Sequence, residues 1–138
     1  MTIIQTRRSA SESRPHYVLL VEDNETNQLV LTHKLNKYGC QVDCAGNGFE
    51  ALEKVADNQF DLVVMDVSMP EMDGLEATKR IRNSAGPVSR LPVIGLSAHN
   101  HLEVRQEALL AGMDDFLSKP ISDQDLFAKL DEWLHVRK

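Results

Sequence analysis

Five residues of this chain could carry chemistry together, and each follows a short apolar run. Glu22 and Asp23 follow Tyr17-Val18-Leu19-Leu20-Val21, and Asp66 follows Leu62-Val63-Val64-Met65. Ser97 follows Leu91-Pro92-Val93-Ile94-Gly95-Leu96, and Lys119 follows Asp115-Phe116-Leu117-Ser118. Taken singly, each has an ordinary explanation. Asp66 or Ser97 would serve as a helix cap, and Glu22 as a solvated charge at a strand end. Taken together they form a set that handles phosphate. Three converging carboxylates repel one another unless a cation joins them. Oxygen donors of this kind suit Mg²⁺ or Mn²⁺, with Mg²⁺ keeping several waters and taking one or two protein carboxylates plus a phosphate oxygen. A lysine ammonium, a hydroxyl and a metal would stabilise a phosphoryl group on the third carboxylate, so in-line transfer to Asp66 is the chemistry expected.

These residues converge only if the runs before them are neighbouring parallel strands. Four consecutive apolar residues at 62–65, two of them Val, read as a strand buried on both faces of a sheet. Pro70 and Gly74 break regularity after Asp66, which therefore stands where a strand passes into a loop. Between the runs lie helical stretches. Asn24 is expected to cap a helix reaching about Tyr38 and stopping at Gly39, and Asn47 starts another that ends near Asn58. A third runs from Leu75 to about Arg82 with Leu75, Thr78 and Ile81 on one side, and a fourth from His99 to Ala111, closed by Gly112. The last has Ser122 and Asp125 as a capping box and Leu126, Leu130, Trp133 and Leu134 as its apolar stripe. A more exposed strand at 41–44 completes five strands alternating with five helices. The expectation is an α/β fold, a (βα)₅ three-layer sandwich with helices on both faces of a parallel sheet. In such sheets ligands bind at the carboxyl ends of the strands, the rim these five residues share.

Composition narrows the class. The 138 residues are 42% hydrophobic and 26% charged, enough for one domain with a real core. A net charge of −6 argues against nucleic acid as a partner. No apolar run approaches the ~20 residues that cross a bilayer, and none has the pattern of a signal peptide. Cys40 and Cys44, placed on one strand, would stand ~13 Å apart, too far for a disulfide. A reduced, cytoplasmic setting and no membrane contact are expected. Residues 1–15, polar and rich in Ser and Arg, read as a flexible leader or linker remnant before a domain at 16–138. The five histidines show no metal-ligand spacing. Leu29, Val30 and Leu31 cannot all turn inward from one helix, so one of them is expected to be exposed and available to a partner helix.

Val21-Glu22-Asp23-Asn24, Met65-Asp66-Val67-Ser68-Met69-Pro70 through Met72-Asp73-Gly74, Leu96-Ser97-Ala98 and Ser118-Lys119-Pro120 resemble the motif blocks of response-regulator receiver domains. The resemblance spans residues 16–138 and implies a flavodoxin-like fold with strand order 2-1-3-4-5. It also implies that the phosphohistidine of a histidine kinase donates a phosphoryl group to Asp66 in a Mg²⁺-dependent step. Asp23, Asp66 and the Ser68 backbone carbonyl would hold the metal, with Glu22 helping through water. Ser97 and Lys119 would contact phosphoryl oxygens, and Lys119–Pro120 would be cis. Ser97 and Phe116 stand where the family has its switch pair, although Phe116 fits plain core equally well. His99, two residues beyond Ser97, lies near enough in sequence to affect hydrolysis. Asn24-Glu25-Thr26-Asn27-Gln28 and Gly112 through Ile121 are most similar to receivers of hybrid sensor kinases, which implies onward transfer to a histidine phosphotransfer domain from a monomeric receiver. A stand-alone regulator is the alternative. Two enzyme or carrier classes fit less well. A haloacid-dehalogenase-type phosphohydrolase wants a second Asp where Ser68 stands, and a flavin carrier wants a Ser/Thr/Gly loop where Glu22-Asp23-Asn24-Glu25 stands.

Overall fold

A computed structural model describes residues 15–98 and 102–135 of the chain. Five strands form one parallel sheet: β1 (Tyr17–Val21), β2 (Gln41–Ala45), β3 (Leu62–Asp66), β4 (Val93–Ser97) and β5 (Asp115–Ser118). Their spatial order is β2-β1-β3-β4-β5, the 2-1-3-4-5 arrangement expected from the sequence. Five helices intervene or follow: α1 (Glu25–Tyr38), α2 (Gly48–Asp57), α3 (Gly74–Arg82), α4 (Leu102–Ala111) and α5 (Asp123–His135).

The strands' alternation divides the core in two. Leu19, Val21, Val63, Met65, Val93 and Phe116 face α2, α3 and α4, where Ala51, Val55, Ala77, Ile81 and Ala108 meet them. Val18, Leu20, Leu62, Val64, Ile94 and Leu96 face Leu31 and Leu35 of α1 and Leu126, Leu130 and Leu134 of α5. Both faces of the central strands are thereby buried, which is why those segments read as unbroken apolar runs.

Register brings the strand ends level. Val21 pairs with Met65, Asp66 with Leu96 and Ser97 with Ser118. The ladder runs one residue past each strand, since Glu22 N–H donates to Ala45 O, Val67 N–H to Leu96 O and Lys119 N–H to Ser97 O. Residues at the rim are therefore fixed by backbone pairing before any side chain is considered. The loop from β3 to α3 packs tightly beneath them. A Cβ on Gly74 would stand 2.2 Å from the Asp66 carbonyl oxygen, so only glycine admits the return of the chain there. Asp73 caps α3 by accepting from Glu76 N–H at 2.9 Å.

The helix caps follow the sequence. Asn24 Oδ1 accepts from Asn27 N–H, Asn47 Oδ1 from Glu50 N–H and Ser122 Oγ from Asp125 N–H. Gly39 ends α1 with φ 116° and Gly112 follows α4 with φ 108°. Three details differ from the reading of the sequence. Cys40 precedes β2 instead of lying on it, and both thiols are free. The segment after α3, expected as loop, carries a 3₁₀ turn at Gly86–Arg90 that starts around Pro87. Arg82 holds that turn, donating to the carbonyls of Ser89, Leu91 and Gly112 and pairing with Asp114 at 2.8 Å. Both Leu29 and Val30 are exposed, because α1 buries only the stripe through Leu31 and Leu35. Helix α4 is described only from Leu102, so His99 lies outside the described residues. At the far edge of the sheet the single tryptophan, Trp133, donates its indole N–H to Asp115 Oδ2 at 2.9 Å, beside Lys129.

Close approach at two glycines makes different demands. At Gly95 the nearest atom to an added Cβ is the Met113 sulfur, at the flexible end of a side chain, whereas at Gly74 it is backbone. Gly74→Ala is expected to lose ~3 kcal/mol of stability and Gly95→Ala ~1 kcal/mol, measured by urea unfolding.

Candidate functional site

The rim collects the residues that the sequence set apart. Glu22 and Asp23 leave the end of β1, Asp66 ends β3 and Lys119 follows β5, in a sheet where β1 and β4 flank β3. One carboxylate oxygen from each of Glu22, Asp23 and Asp66 lies within 4.8 Å of the others. Glu22 is 1% exposed and Asp66 5%, while Asp23 faces solvent. The Lys119 ammonium reaches both buried carboxylates, standing 2.9 Å from Asp66 Oδ2 and 3.1 Å from Glu22 Oε1. Burial alone would push the Lys119 pKa down. Hydrogen bonds and charge from Asp66 and Glu22 outweigh that cost, and the net shift is upward from the usual lysine value. The lysine is therefore held as a cation.

The two buried carboxylates have further donors. Asp66 Oδ1 accepts from Ser68 N–H at 3.1 Å. Glu22 Oε2 accepts from Asn24 N–H at 3.2 Å and faces Asn27 Nδ2 at 3.4 Å. Gln28 Nε2 donates to the Glu22 backbone carbonyl at 2.5 Å. One ammonium set among three carboxylates leaves a net negative pocket lined by hard oxygen atoms, a donor set that fits a small divalent cation. Exposed Asp23 leaves a way in for a partly hydrated ion.

Ser97 ends β4 one residue beyond Leu96, the register partner of Asp66, and is buried. The Lys119–Pro120 peptide is cis, as the resemblance implies. Phe116 belongs to the apolar core. Its ring is buried in the cluster facing α2–α4, beside Gly95, and the Arg105 guanidinium of α4 sits 5.8 Å over its centroid. That cation–π contact was not legible in the sequence, nor were the roles of Asn27 and Gln28 as partners of Glu22. The only available signal was their place in the first turn of α1, near enough to fold back over the end of β1.

A five-stranded, doubly wound parallel sheet with a lysine-bridged acidic trio at its carboxyl rim defines a flavodoxin-like protein with a phosphate- and cation-compatible pocket. Comparison with known proteins makes the class specific. A family profile described as response regulator receiver domain matches residues 18–131. The sensor histidine kinase GacS of Pseudomonas protegens is 38% identical over 139 residues, covering 95% of this chain and 15% of that kinase. The chain thus spans a small fraction of such a relative. Among solved structures, the receiver domain of the sensor histidine kinase PA1611 from Pseudomonas aeruginosa PAO1, which has a magnesium ion coordinated in its active site cleft, superposes with a TM-score of 0.82. It is 34% identical and covers 88% of this chain and 99% of that one. The Saccharomyces cerevisiae complex of the histidine phosphotransfer protein Ypd1 with the receiver domain of Ssk1 gives a TM-score of 0.81 at 32% identity, covering 89% of this chain and 91% of that one. This chain belongs to the response-regulator receiver domain family of two-component signalling, and the relatives it resembles include histidine kinases.

Crowded carboxylates and a single bridging cation have opposite effects on stability. In metal-free buffer, Asp23→Asn relieves repulsion and is expected to raise stability by ~1 kcal/mol, with the gain shrinking as salt is added. Lys119→Met leaves two buried carboxylates facing each other and is expected to cost ~2 kcal/mol. Urea unfolding in EDTA at two ionic strengths reads both effects.

Proposed function

We propose that this domain takes a phosphoryl group from the phosphohistidine of a histidine kinase onto Asp66 and passes it to a histidine phosphotransfer domain. The observation that carries the reading is the Lys119 ammonium bridging Asp66 and Glu22 inside the acidic trio. Asp66 is the phosphoacceptor. One of its oxygens attacks phosphorus in line, a P–O bond forms as the P–N bond breaks, and the electron pair returns to the leaving imidazole. Lys119 is already held next to Asp66 as a cation, and it offsets charge on the phosphoryl oxygens. Ser97, at the neighbouring strand end, supplies a hydroxyl to the same oxygens. Asp23, Asp66 and the Ser68 carbonyl would hold Mg²⁺, with Glu22 helping through water. Bound there, the metal neutralises charge that builds on the transferring group.

The receiver extends over residues 16–138, with residues 1–15 a leader or the remnant of a linker, and acts as a monomer in the cytoplasm without contacting nucleic acid. No helix among the described residues is long and apolar enough to cross a membrane. Similarity to sensor kinases and to the receiver seen with Ypd1 supports a relay over a stand-alone regulator. Phe116 and Ser97 are read as the switch pair that the resemblance implies, and burial of the Phe116 ring beneath the Arg105 guanidinium is equally compatible with a plain core role.

Intact mass after incubation with acetyl phosphate and Mg²⁺ tests the site. One phosphoryl adduct is expected on wild type, with none after EDTA treatment and none on Asp66→Asn. An adduct that forms without metal or survives Asp66→Asn overturns the assignment.

A further inference from the structure

Two side-chain amides in the first turn of α1 are spent on the end of β1 instead of on their own helix. The backbone N–H of Asn27 is already satisfied by Asn24 Oδ1 at 2.9 Å, and that of Gln28 by Asn24 O at 2.9 Å. Helix initiation therefore needs nothing from either side chain. Yet Gln28 folds back six residues so that Nε2 donates to Glu22 O at 2.5 Å, and Asn27 Nδ2 faces Glu22 Oε2 at 3.4 Å. Ordering two amide side chains costs rotamer freedom, which a purely local role would not require.

Their targets explain the arrangement. The carbonyl held by Gln28 belongs to the Glu22–Asp23 peptide, whose rotation sets where the Asp23 carboxylate points. The carboxylate faced by Asn27 is the one that Lys119 bridges to Asp66. Glu22 has two oxygens with separate partners, Lys119 on Oε1 and the α1 turn on Oε2. When Lys119 turns toward a phosphoryl oxygen, Glu22 keeps the Asn24 N–H and the Asn27 amide, and the long Asn27 contact has room to shorten.

We propose that Gln28 and Asn27 are positioning residues, an amide clip that presents the Glu22–Asp23 pair to the divalent cation. This rests on the reading of the acidic trio as a Mg²⁺ site. Groups that orient metal ligands from behind are commonly worth ten- to a hundredfold in affinity. A structural role alone predicts something different. Replacing Asn by Leu, or Gln by Met, inside a helix retains or improves helix propensity and leaves affinity unchanged.

The test is a Mg²⁺ titration of the full chain followed by two-dimensional amide NMR, read at Asn24 and Ser68, alongside urea unfolding in EDTA. Gln28→Met and Asn27→Leu are each expected to weaken Mg²⁺ binding about tenfold while keeping the metal-free unfolding midpoint near that of wild type. Asn27→Gln, which keeps an amide within reach, recovers part of the loss. Wild-type affinity in both variants overturns the clip and leaves the metal site standing. So does weakening that only tracks a lowered metal-free midpoint, because it marks a scaffold role. If the wild-type Asn24 and Ser68 amides do not shift with Mg²⁺, the metal site and the clip fall together.

Discussion

The Lys119 ammonium is the contact on which the rim depends. It joins Glu22 and Asp66, two carboxylates almost wholly removed from water, across sequence separations of 97 and 53 residues. Without a cation between them, buried like charges at this distance would force the strand ends apart or drive one group neutral. With it, the pocket keeps an excess of negative charge that a metal ion can complete.

Backbone pairing makes the contact possible. The registers of β1 with β3, β3 with β4 and β4 with β5 end the strands at one level, and the ladder holds the next residue of each chain segment in the same plane. A one-residue slip at β3 would send Asp66 to the opposite face and bring Met65 to the rim. The same slip would draw the Asp66 carboxylate toward an apolar layer, where alternate residues of β3 such as Val63 and Val64 now sit. Function at the rim thus rests on packing at the centre of the sheet. Tight contact between Gly74 and the Asp66 carbonyl is the local price of turning the chain away without covering the carboxylate.

Much of this was legible in the sequence because it is written locally. Apolar runs at 17–21, 62–65 and 91–96 mark buried strands, Asn24 and Asn47 mark helix starts, and Gly39 marks a helix end. Once the alternation of strand and helix is read, the residues after each run must share an edge, so Glu22, Asp23, Asp66 and Lys119 could be grouped without coordinates. What stayed hidden depends on side chains meeting across elements. Arg105 over Phe116, Arg82 among the carbonyls of the 3₁₀ turn and Gln28 against Glu22 O are contacts that no period announces. The paired exposure of Leu29 and Val30 was missed because their apolar character alone does not say which stripe of α1 is chosen. Cys40 was assigned to a strand because Cys44 and Val42 supply the alternation that it only precedes.

The hydrogen bond from Trp133 to Asp115 reaches beyond packing. It ties α5 to the first residue of β5, directly before Phe116, and this indole is the only one in the chain. A built-in fluorophore thereby stands on the outer margin of the molecule, next to Phe116 and remote in sequence from the Glu22–Asp23 turn. Rearrangement along that margin would alter the polarity felt by the ring, so its emission can be followed without any attached dye.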